Sequence, residues 1–145
     1  MKTNKLQKTR LLPPYKNGKP TFKKRNKPGV YLIYDYSNNL RYVGYSGNNL
    51  YRTMYHHFQA WNDEKQIRIT YNPDMYQVRV IYTHTPQQAQ RLEKALIIHK
   101  KPTDNPQKYW ITNTTDEKEE KIYHEFNDTP VSSNLDVFDV DSFII

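Results

Sequence analysis

The sequence predicts a small α+β domain: a three-stranded, mostly antiparallel sheet flanked by helices. Three observations predict it. Two runs rich in β-branched and aromatic residues, Val30 to Asp35 and Leu40 to Tyr45, stand on either side of Ser37-Asn38-Asn39. A third run, Gln77 to Thr83, alternates Val78, Val80 and Tyr82 with Arg79 and Ile81. Two stretches with apolar residues at helical spacing, each behind a capping residue, follow the second and third runs.

The first two runs read as a hairpin. Asparagine tolerates positive φ, so Asn38-Asn39 suits a two-residue turn. That turn sets Ser37 opposite Leu40, Asp35 opposite Tyr42, Ile33 opposite Gly44 and Tyr31 opposite Ser46. Side chains alternate along a strand, so Tyr31 and Tyr42 project from one face, with open space at Gly44. A loop longer by one residue turns one tyrosine to the other face.

The first helix begins after Asn48 or Asn49, both good N-caps. Its apolar stripe is Leu50, Met54, then His57 or Phe58, and Trp61. Arg52 and His56 are four apart and neighbour each other on a different face. An isolated arginine there is ordinarily a solvated charge; beside two tyrosines of one face it is a candidate for phosphate binding.

Residues 62–76 read as a loop or insertion, with Ile67 to Tyr71 as a possible short strand. The second helix has Thr85 as N-cap, Pro86 at the first helical position and Gln88 closing a capping box. Ala89, Leu92, Leu96 and Ile97 form its apolar face, and Glu93 falls inside it. A carboxylate on a buried face must be paired or bind a metal. Lys100, Arg52 and Arg91 are the candidate partners for an ion pair.

Composition bounds the rest. The 145 residues suit one domain with loosely ordered ends, and a mean hydropathy of -1.00 means a small core. Of the thirteen tyrosines, Tyr34, Tyr36 and Tyr82 are expected in core and sheet packing. Tyr45, Tyr51, Tyr55 and Tyr71 are candidates to stack on bases or touch phosphates. There is no cysteine, which excludes disulfides and thiolate zinc sites, and the histidines lack zinc-like spacing. No apolar run reaches membrane-spanning length, and Leu11-Leu12 is cut short by Pro13-Pro14, unlike a secretory signal. A cytoplasmic location, or a host cytoplasm for a phage-encoded chain, is the expectation.

Charge divides the chain into three parts. Residues 1–27 are a basic, extended arm, and the first 28 residues hold ten Lys or Arg and no acid. Lys23, Lys24, Arg25 and Lys27 are its candidate contacts to nucleic-acid phosphates, although a merely disordered leader has the same composition. Residues 28–112 are the folded domain. Residues 113–145 are an acidic tail, with nine acids against two lysines from residue 114 onward. Its end, Val137-Phe138, Val140 and Phe143-Ile144-Ile145, alternates acidic and apolar residues. It can be a plain tail, a docking peptide, or a segment that folds back on the basic face.

With these residues in place the chain resembles the GIY-YIG nuclease domain family. Gly29-Val30-Tyr31 matches the first tripeptide and Tyr42-Val43-Gly44 the second, each with one conservative change. Arg52 and His56 match the family arginine and the histidine one helical turn on, His56 being preferred to His57 only by its spacing. Glu93 matches the metal-binding glutamate, and Lys101-Pro102-Thr103-Asp104-Asn105 the Lys-Pro-x-x-Asn segment. The resemblance spans residues 28–110.

It implies a phosphodiester hydrolase acting on nucleic acid, double-stranded DNA by expectation, with one Mg²⁺ or Mn²⁺ held by Glu93. Tyr31 is then the general base, Tyr42 orients water or phosphate, Arg52 clamps the phosphate, His56 assists and Asn105 supports the site. No separate reader of DNA sequence is evident, so specificity falls to the arm, the loop, a homodimer or a protein partner. Two other readings compete: a non-cleaving nucleic-acid-binding module of the same fold, and an interaction protein that docks through its acidic end.

Overall fold

A computed structural model describes residues 6–22, 26–59, 61–63, 65, 69–105 and 114–131. The three expected strands form as β4 (Gly29–Asp35), β5 (Leu40–Ser46) and β6 (Tyr76–Tyr82), with β4 in the middle. A short strand, β1 (Gln7–Lys8), adds to β6, so the sheet has the order β1-β6-β4-β5 and every pairing is antiparallel. Tyr15–Lys16 (β2) and Lys19–Pro20 (β3) make a separate small hairpin.

The β4–β5 register differs from the expected one by two residues. Tyr31 lies opposite Gly44 and Ile33 opposite Tyr42. The loop is also longer than a two-residue turn. Asp35 N–H donates to the Asn39 carbonyl, Asn38 N–H returns to the Asp35 carbonyl, and Asn38 alone takes a positive φ of 65°. Asp35 stabilises this loop by accepting from the backbone N–H of Ser37 and Asn39. Such a loop by itself reverses the faces. A bulge after Ile33, with Arg41 as the extra residue of β5, reverses them again. The two irregularities cancel, and Tyr31 and Tyr42 do share a face.

That face of the sheet carries Tyr31, Ile33, Val78, Val80 and Tyr82 and packs on α1 (Leu50–Tyr55), its following 3₁₀ turn (His56–Phe58), Leu12 and Phe22. The other face carries Val30, Leu32, Val43 and Ile81 and packs on α2 (Pro86–Lys100) and α3 (Glu117–Asp128). Asn49 is the N-cap of α1, its side chain accepting from Arg52 N–H at 3.0 Å. Thr85 caps α2 and Pro86 starts it; the Gln88 side chain reaches back one residue further than expected, to His84 N–H at 2.8 Å.

Several expectations are corrected by long-range packing. The apolar stripe of α1 stops at Phe58 because the helix tightens at His56 and the chain is extended by Gln59, leaving Trp61 exposed. Ile69 to Tyr71 forms no strand; Tyr71 N–H instead donates to the His57 carbonyl at 2.7 Å. Residues 66–68 lie outside the described residues. The described part of the arm is no free extension, since Leu6, Leu12 and Phe22 are buried in the two cores. Residues 114–131 are no plain tail. Asp116 and Glu119 form a capping box for α3, whose Ile122 and Phe126 bury against α2. Lys94 pairs with Glu119 at 3.1 Å, and Lys8 donates to the Phe126 carbonyl at 2.9 Å. The apolar end, Val137 to Ile145, lies outside the described residues.

Candidate active site

Tyr31 stands on the central strand and is 2% exposed. Its ring lies across its cross-strand partner Gly44, which has no side chain to stop it. The Tyr42 ring lies alongside, 6.3 Å away between centroids and inclined by 26°. The 3₁₀ turn then sets the imidazole of His57 against both rings, 5.4 Å from Tyr31 and 4.7 Å from Tyr42.

The hydrogen bonds of His57 assign its tautomer. Nδ1 is 2.7 Å from the Ile69 carbonyl oxygen, which can only accept, so Nδ1 carries the hydrogen. In the neutral ring Nε2 is then an acceptor. The Tyr31 hydroxyl, 2.8 Å away, donates to it. A buried phenol thus points its proton at a base that is itself held by a backbone carbonyl.

Glu93 projects from the buried face of α2 and is 7% exposed. Its negative charge reaches both tyrosines. Burial is the main cause that pushes Tyr31 well above the usual phenol range, with Tyr42 and Glu93 adding to it. Tyr42 is raised by burial first and by Glu93 second. Both phenols are therefore neutral at physiological pH.

Asn105 braces the second tripeptide. Its side-chain oxygen accepts from Val43 N–H and its amide nitrogen donates to the Val43 carbonyl, each at 2.8 Å. Thr103 and Asp104 donate backbone N–H to the carbonyls of Leu40 and Arg41, so the segment after α2 runs beside β5 and closes its edge. Asp104 is held by Arg41 at 3.3 Å and by the Tyr71 hydroxyl at 2.8 Å. Tyr42 and Gly44 flank the braced Val43, which holds the site's second strand in place.

Of the residues singled out by sequence, Tyr31, Tyr42 and Glu93 come together, with Asn105 behind them. The histidine against the tyrosines is His57, whereas His56 N–H closes the last turn of α1 on the Arg52 and Met54 carbonyls. Counting four from Arg52 assumed an unbroken α-helix, and the helix ends at Tyr55. The buried stripe of α1 was the signal that pointed to His57. Arg52 is exposed on the first turn of α1. Lys27 lies over the Tyr82 ring at 5.6 Å, and Lys23, Lys24 and Arg25 lie outside the described residues. Tyr55 and Tyr71 are core residues with bonded hydroxyls, not exposed platforms for bases, and Tyr36, expected inside, is 56% exposed.

No helix among the described residues is long and apolar enough to cross a membrane. No curated protein and no solved structure matches the chain. A family model, the UvrC-like GIY-YIG domain, matches residues 27–105, just over half of the chain, and takes in both tripeptides, α1, α2 and Asn105. The chain belongs to that family, whose domain is of nuclease type and whose substrate is nucleic acid.

Proposed function

We propose that the protein is an endonuclease that hydrolyses phosphodiester bonds in DNA with one divalent cation, Mg²⁺ or Mn²⁺, held by Glu93. The observation that carries this reading is the hydrogen bond from buried Tyr31 to His57, formed beside Tyr42 and Glu93.

Glu93 is a single buried carboxylate, and the described residues hold no group of three His, Asp or Glu that could cage a metal. That donor set suits a hard cation that keeps most of its waters and takes its remaining oxygens from substrate. Bound there, the cation supplies positive charge to the scissile phosphate and the departing 3′ oxygen.

The protein's own groups do the rest. A raised pKa makes free tyrosinate a poor prospect, so Tyr31 works as a relay. Its oxygen takes the proton of the attacking water while its own proton passes to Nε2 of His57. The imidazolium that forms keeps its Nδ1–H on the Ile69 carbonyl. Tyr42 orients the water or a phosphate oxygen. Arg52 offers its planar fork to the phosphate from α1.

Incubation of the purified protein with supercoiled plasmid tests the reading. Nicked or linear product is expected with Mg²⁺ or Mn²⁺ and none in chelator. Tight plasmid binding without product in either metal would replace it with a non-cleaving binding module.

A further inference from the structure

Within the N-terminal basic segment, residues 14–22 form a hairpin that is packed into the fold. Asn17 and Gly18, both at positive φ (52° and 76°), make the two-residue turn between β2 and β3. The base of the hairpin is bolted to α1 by one hydroxyl. Tyr55 Oη donates to the Pro14 carbonyl at 2.6 Å and accepts from Phe22 N–H at 3.2 Å, so it holds both legs. Thr21 N–H crosses to the Pro14 carbonyl, Phe22 is 2% exposed, and the Tyr15 ring lies 5.2 Å from that of Tyr55. The tip, Asn17 to Lys19, is exposed.

The charge of this element is one-sided. Residues 1–34 contain no Asp or Glu, and neither do residues 36–62, which include all of α1. The hairpin brings Lys16 and Lys19 to its tip, Arg10 is exposed before it, and the Tyr51 ring, next to Arg52 on α1, lies 4.7 Å from that of Tyr55, tilted by 50°. Leu12, Phe22, Tyr55, Tyr31 and Tyr82 all belong to one core, so the hairpin is mounted on the same side of the sheet as the tyrosine–histidine pair.

We propose that the β2–β3 hairpin is a preformed finger that grips the phosphate backbone of duplex DNA through Lys16 and Lys19, on the side of the sheet where Tyr31 and His57 lie. The fixed base means that its order is already in place before DNA arrives, which leaves more of the contact free energy as affinity. The proposal takes its substrate class from the nuclease reading, but it concerns binding and is tested without cleavage.

Full-length protein is titrated onto a labelled DNA duplex in chelating buffer at several salt concentrations, followed by fluorescence anisotropy. The Lys16→Gln/Lys19→Gln variant should lower the slope of log K against log salt by about 1.8, at about 0.9 for each lost phosphate contact. Tyr55→Phe keeps every charge, so it should weaken binding with the slope unchanged; a thermal melt confirms that it folds. An unchanged slope in the lysine variant overturns the proposal. So does a slope change seen with single-stranded but not duplex DNA. A slope change in a protein that never nicks plasmid upholds the finger and sinks the nuclease reading; nicking with an unchanged slope does the reverse.

Discussion

Tyr31 occupies the space that a side chain on its cross-strand partner, Gly44, would fill. A Cβ built at Gly44 would overlap the Cζ and hydroxyl oxygen of Tyr31, atoms of a ring locked in the core. The glycine of the second tripeptide is thus the floor on which the tyrosine of the first one lies, and it sets where the hydroxyl meets His57.

Gly44→Ala should therefore act through Tyr31. The ring must swing away or β5 must shift, and overpacking of this kind costs about 1–3 kcal/mol. A denaturant melt should show the loss, and cleavage should fall with it because the bond to His57 is broken. A variant with wild-type stability and rate would show that the ring has room to spare.

The relay from Tyr31 to His57 is tested by a double-mutant cycle. Tyr31→Phe and His57→Gln should each slow cleavage by roughly 10²–10⁴-fold, the usual contribution of a positioned proton acceptor. Residues that act as a unit are not additive. The double variant should accordingly be about as slow as the slower single one. Multiplying effects would mean that the two side chains work independently.

Glu93→Gln should remove metal-dependent cleavage while the protein stays folded and still binds DNA. The amide keeps size and hydrogen bonding but lacks the charge a hard cation requires. The loss should exceed the roughly 10–100-fold typical of removing an outer-shell partner of a metal site. Isothermal calorimetry gives a readout apart from activity: the Mg²⁺ or Mn²⁺ binding heat of wild type should vanish. Cleavage at near-normal rate would defeat the metal assignment.

Asn105→Ala should destabilise the domain. It strands the N–H and carbonyl of Val43, a fully buried residue, at about 1–3 kcal/mol for each group left unpaired. Asn105→Asp should cost at least as much: its carboxylate can still accept from the N–H, but it has no donor for the Val43 carbonyl and sets a buried negative charge against that oxygen. Urea unfolding of the two variants checks the order; equal stability in all three proteins would mean that water or another group takes over.

Stability should fall in alkali. Burial raises the phenols of Tyr31, Tyr55 and Tyr71 above their ordinary value, and the Tyr71 bond to Asp104 adds to it. In the unfolded chain these groups lose their protons near pH 10, roughly the free phenol value. Above it the unfolded state binds fewer protons than the folded one, so the stabilisation is complete below about pH 10 and is lost as pH climbs toward the folded values. Urea midpoints at about pH 9 and about pH 11, with tyrosinate absorbance to follow deprotonation, should show the decline. A Tyr71→Phe variant should decline less; an identical decline would assign the effect to other groups.

Short-range rules made much of this protein legible. Alternation along β4 and β5, joined to a turn of assumed length, predicts Tyr31 and Tyr42 on one face, and the Thr85-Pro86 start is enough to bury Glu93 with Leu92 and Leu96. Both depend on residues a few positions apart. Even so, the hairpin reached the expected faces by another route, a longer loop offset by the bulge at Arg41, because a turn is chosen with the strand pairing it must serve. The capping box and the Ile122–Phe126 spacing of α3 were also visible locally, but the acidic composition around them hid a helix whose stability comes from α2.

Only the tertiary structure decided which histidine meets Tyr31, that residues 14–22 form a hairpin on Tyr55, and that Tyr55 and Tyr71 lie inside while Tyr36 lies outside. Each of these rests on a partner far away in the chain: Tyr31 for His57, Pro14 for Tyr55, Asp104 for Tyr71, Phe126 for Lys8. Local sequence fixes a side chain's direction relative to its neighbours. Whether that direction meets apolar cover, a hydrogen-bond partner or solvent depends on what the rest of the chain brings there.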